Sequence, residues 1–79
     1  MGIYKLTVEY EGGYGTDRYF FGNKGLDSAQ HDFCRARKNK LVMSAKIAVC
    51  EANYRGEIDA IHIYWQFKRR RYMVPAELE

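Results

Sequence analysis

"KLVMSAKIAVCEA", residues 40–52, is the stretch on which the fold turns. At helical period it sets Leu41, Ala45, Ala48 and Ala52 on one side, a stripe made almost wholly of alanine. At period 2 it sets Leu41, Met43, Ala45, Ile47 and Val49 on one face, with Ser44 and Lys46 opposite. Strict alternation marks a strand with one buried face, whereas an amphipathic helix needs apolar positions three and four apart. Five matches to period 2 outweigh the alanine stripe, so residues 41–52 read as a strand. The rival is one long or broken helix over 27–53.

Towards the C-terminus, "NYRGE" (53–57) has turn composition, and "IDAIHIYWQF" (58–67) is the clearest strand of the chain. It places Ile61, Ile63, Trp65 and Phe67 on one face and Ala60, His62, Tyr64 and Gln66 on the other. Trp65 is thereby assigned to the core. "RYMV" (71–74) has the makings of a short fifth strand at the edge, because Pro75 cannot donate to a ladder and ends pairing. Residues 75–79 read as a frayed tail.

Towards the N-terminus, "IYKLTVEY" (3–10) alternates, with Tyr4, Leu6, Val8 and Tyr10 on one side. "EGGYGTD" (11–17) is hairpin-loop chemistry, and "RYFFG" (18–22) returns as the second strand. A helix follows. Asp27 suits its N-cap, with Gln30 at capping-box spacing. Leu26, Ala29, Phe33 and Ala36 form its apolar stripe. Arg35, Arg37 and Lys38 gather in the last turn, where cations suit the helix dipole, and Asn39 reads as a left-handed stop.

The sum is one small α+β domain over residues 1–79, in the order β-β-α-β-β: an antiparallel sheet of four strands, five if 71–74 pairs. One helix covers only one face of such a sheet, so the other face meets water or a partner. One Trp, seven Tyr and four Phe in 79 residues are more rings than so small a core holds. Some of them belong at a surface.

The net charge of +3 is unevenly spread. Residues 1–34 carry three Lys or Arg against five acids, and residues 35–79 carry ten against five. No apolar run reaches the length of a membrane span, and the N-terminus lacks the apolar block of a signal peptide. With only two cysteines, Cys34 and Cys50, this points to a cytoplasmic protein with buried or free thiols and no membrane partner.

Little here has the pattern of catalysis. His31 and Cys34 are neighbours on the helix, but a nucleophilic pair needs a third, orienting group and an oxyanion loop. They also make at most one ligand pair, where structural zinc takes two. "GGYG" (12–15) precedes a strand and lacks the Gly-Lys-Ser/Thr ending, so it reads as a hairpin tip rather than a phosphate loop. Glu9 with Glu11, and Glu57 with Asp59, fit solvated sheet edges better than a cleft. No enzyme activity, metal or cofactor is expected.

The residues with binding chemistry are two basic clusters and several rings. Lys68, Arg69, Arg70 and Arg71 follow the last long strand, and Arg35, Arg37 and Lys38 end the helix. Tyr64, Tyr72, Tyr14 and His62 supply ring contacts. The expectation is a small non-catalytic binding domain with an aromatic, basic-rimmed sheet face. It docks on a protein partner or self-associates as a homodimer. The alternative is nucleic-acid binding, with cations along phosphates and tyrosines stacked on bases. In size and architecture the chain resembles small phage and mobile-element proteins, which implies docking on host machinery.

Overall fold

The computed structural model describes residues 2–69. Within them the expected α+β architecture holds. Strands β1 (Ile3–Tyr10) and β2 (Gly15–Phe21) form a hairpin, helix α1 (Gly25–Arg37) follows, and β3 (Val42–Ala52) and β4 (Ile58–Lys68) form a second hairpin. All four strands share one antiparallel sheet in the order β2-β1-β3-β4. The expected strand over 71–74 and tail over 75–79 lie outside the described residues.

α1 packs on the face built by β1, β2 and β3. The register explains which side chains meet it. Leu6 stands opposite Ile47, Val8 opposite Ala45, and Tyr10 opposite Val42. With Ala29 and Phe33 from the helix these residues form the core, and Tyr4, Phe20, Ala36 and Phe67 close its edges. The largest fully buried side chains are only Ile47 and Val42, so this core is small.

Three local readings are corrected. β3 begins at Val42, and Val42 rather than Leu41 faces the helix. Pairing with β1 slips between Glu9 and Tyr10, so that Met43 is an extra residue and the alternation inverts there. The helix begins two residues before Asp27, with Lys24 at the N-cap position and no side-chain cap. Packing sets that start. A Cβ on the buried Gly25 would lie 3.1 Å from the Phe20 carbonyl carbon and 3.3 Å from Tyr4 Cδ2, so glycine lets the helix start sit directly on the sheet. Asp27 keeps a favourable place in the first turn.

Asn39, expected as a left-handed stop, has no positive φ. It works through hydrogen bonds instead: its Oδ1 accepts from Leu41 N at 2.9 Å and its carbonyl from Val42 N at 3.1 Å. This turns the chain from α1 into β3. At the far end, Asn53 organises the β3–β4 turn. Its Oδ1 accepts from Arg55 N and Glu57 N, and Gly56 takes φ 83°. The β3–β4 hairpin is therefore well closed, and Asn39 fixes the entry into β3.

Candidate interaction surface

The open face of the sheet divides into an apolar and a polar half. Across β2-β1-β3-β4, one row reads Phe21, Ile3, Cys50, Ala60 and the next Tyr19, Lys5, Ala48, Ile63. Below them come Asp17, Thr7, Lys46, Gln66 and then Gly15, Glu9, Ser44, Lys68. The polar half is internally paired: Thr7 donates to Asp17, and Ser44 donates to Glu9. Ala48 and Cys50 are buried because they are small and stand among larger neighbours. Burial pushes the Cys50 thiol above its ordinary 9.0, partly offset by the nearby Lys5 ammonium. Phe21, Tyr19 and Ile63 stay exposed around them.

β4 is the unusual element. Its large apolar side chains are substantially open to solvent: Ile58 at 38%, Ile61 at 56%, Ile63 at 44%, Tyr64 at 44% and Trp65 at 36%. Two geometric facts produce this. The 13-residue helix covers β1, β2 and β3, and reaches β4 only near its C-terminal end. There the Phe33 ring meets Trp65 and Phe67 edge-on, with centroids 5.2 and 6.1 Å apart. In addition, pairing with β3 skips Tyr64 and Ile61, so β4 carries two bulges. The first bulge returns Ile63 to the open face, opposite Ala48, and the second does the same for Ala60 and Ile58. The single apolar face expected for 61, 63, 65 and 67 is thus split across both sides. Trp65, assigned to the core, is half in it.

The bulge at Tyr64 also brings Tyr64 and Trp65 side by side, rings stacked at 5.9 Å and 15°. They line a groove of about 490 Å³ between β4 and the helix, together with Phe33, Cys34, Arg37 and Phe67. His62 pairs with Val49 and so belongs to the helix side of the sheet, not to the open face with Tyr19 and Phe21. Tyr14 sits at the tip of the first hairpin, exposed and stacked on Tyr10 at 5.7 Å.

Among the described residues, Arg37 at the end of the helix and Arg69 after β4 meet at one end of the sheet, and Arg69 is the link. Its guanidinium donates to the carbonyls of Val42 (3.0 Å), Arg37 (3.0 Å) and Asn39 (3.4 Å). It lies 5.4 Å from the centroid of Phe67, and Arg37 lies 5.8 Å from the same ring. Arg69 thus clasps the end of α1 to β3, satisfying the Arg37 carbonyl that the helix terminus leaves free. Lys68 and Lys38 remain exposed, and Arg35 is exposed towards the β2 side of the helix, where it lines a hollow with Thr16, Arg18 and Asp32. Arg70, Arg71 and Tyr72 lie outside the described residues.

His31 and Cys34 are both exposed on α1, and Cys50 lies on the opposite face of the sheet, so the two thiols are free and far apart in environment. Among the described residues no three His, Cys, Asp or Glu side chains cluster closely enough to hold a metal ion. No helix among them is long and apolar enough to cross a membrane.

Sequence reasoning missed two features. The clasp by Arg69 has no local signature, because its three partners lie 27 to 32 residues away. The exposure of Ile58, Ile61 and Ile63 had a signal: a strand apolar on both faces beside a single short helix. Comparison of the chain with protein-family models, curated proteins and solved structures finds no match.

Proposed function

We propose that this protein is a small non-catalytic binding domain that docks on a protein, either a partner or its own copy, through β4 and the apolar half of the open sheet face. One observation carries the reading: five large apolar side chains on β4, an edge strand among the described residues, remain exposed beside a helix that stops short of them. Soluble monomers rarely leave so many large apolar side chains of one strand uncovered, here on both sides of the sheet, and exposure of this kind marks interfaces. Lys68 and Arg37 supply charge beside β4, as the rim of an interface commonly does. A cytoplasmic site of action fits the two free thiols.

Nucleic-acid binding is the second reading, favoured by the convergence of the helix-end cations with Lys68 and Arg69. It is weakened because Arg69 and Arg37 are engaged on Phe67, and Arg69 on three carbonyls. The two readings separate on salt. Phosphate contacts weaken log-linearly as salt rises, while an apolar interface barely responds.

The test uses tagged protein with Ile61→Lys and Ile63→Lys combined, beside the unaltered chain. Docking through β4 predicts that a bound protein, whether a second copy or another chain, is retained by the unaltered protein and lost by the variant at unchanged circular dichroism. Equal retention by both would remove β4 as the contact surface.

A further inference from the structure

The occupant of β4 is indicated by how charge is distributed along it. The strand opens with acids, Glu57 just before it and Asp59 within it, and closes with bases, Lys68 within it and Arg69 just after. Between them lie Ile58, Ile61, Ile63, Tyr64 and Trp65, which together expose on the order of 500 Å² of mostly apolar surface. A strand acidic at one end and basic at the other is complementary to itself when two copies run antiparallel. Run parallel, like charges meet at both ends and oppose association.

We propose that β4 of one chain docks antiparallel alongside β4 of a second copy, giving a two-fold dimer with the acidic end of each strand beside the basic end of the other. The inference rests on the docking reading and names its occupant. An isologous contact takes the same patch from each copy; the exposed side chains of β4 lie on both sides of the sheet, so their summed area is the upper bound of their share of the roughly 800 Å² that each partner gives to a standard interface. The bulges at Ile61 and Tyr64 bend the strand and interrupt a continuous backbone ladder between copies. Side-chain burial and end charges therefore carry the association. A domain with so small a core also gains most from a second copy.

Charge reversal tests this. Asp59 and Lys68 are both exposed and are absent from the core. Asp59→Lys alone sets like positive charges at positions 59 and 68 of facing copies, and Lys68→Asp alone sets like negative charges there. Sedimentation equilibrium across a concentration series should show the unaltered chain dimerising. Each single variant should associate roughly tenfold or more weakly. An equimolar mixture of the two variants should recover dimer, because positions 59 and 68 of facing copies then carry opposite charges again. Circular dichroism and thermal melts confirm that each variant is folded. A monomeric unaltered chain at all concentrations, insensitivity to either reversal, or no recovery on mixing overturns the proposal. If a bound protein is still retained in an Ile61/Ile63-dependent way, β4 docking survives and only the second copy is refuted.

Discussion

Arg69 shows how a residue's chemistry depends on what its backbone reaches. Within a run of four cations it reads as a phosphate contact, yet its planar fork spans carbonyls of α1, of β3 and of the turn between them and lies against an aromatic ring. Arg69→Ala should destabilise the protein by about 1–3 kcal/mol in urea titrations, the range for losing charged hydrogen bonds to otherwise free groups. Arg69→Lys should restore little of it, since an ammonium cannot hold the same fork. Cys50 offers a second residue-scale test. Its thiol is neutral when protonated, and burial holds its folded-state pKa above 9.0. The unfolded chain therefore gives up the proton first. Stability from Cys50 is full below pH 9.0 and is lost as pH rises through the folded-state value. Cys50→Ala should flatten that alkaline decline, seen as a smaller fall in melting temperature above pH 9.0. In native protein a thiol reagent should modify the exposed Cys34 quickly and Cys50 only on unfolding.

At the scale of elements, the helix start is held by close packing rather than by a cap. Gly25→Ala should therefore cost stability, although alanine is the better helix former, because its methyl meets the Phe20 backbone. A melt at least a few degrees lower checks this; a higher melting temperature would mean that the contact is loose. The same contrast explains what the sequence disclosed. Element types were legible, since alternation in residues 3–10 and 42–52 and the stripe of Ala29 and Phe33 each reflect one period. Face assignments were legible only between bulges. Ala45, Ile47 and Val49 alternate as expected, but Met43, Ile61 and Tyr64 each add a residue without a partner and swap the faces of the residues beyond it. None of these three is glycine or otherwise marked, so nothing local announces the slip. The helix was correctly expected to cover one face of the sheet, while the division of the other face into apolar and polar halves needed the register.

For the molecule as a whole, the stabilising core and the exposed apolar strip are separate. The core is the layer between α1 and the strands β1 and β3, and β4 joins it chiefly through Trp65 and Phe67. The rest of β4 projects past the helix with its isoleucines open. A contact role for β4 depends on this separation, and urea denaturation in dilute solution tests it most directly. The chain carrying Ile61→Lys and Ile63→Lys together should unfold within about 1 kcal/mol of the unaltered protein, as surface substitutions on an edge strand do. A loss of about 3 kcal/mol or more, the scale of emptying a core position, would place these side chains in the fold's own interior and contradict a contact role.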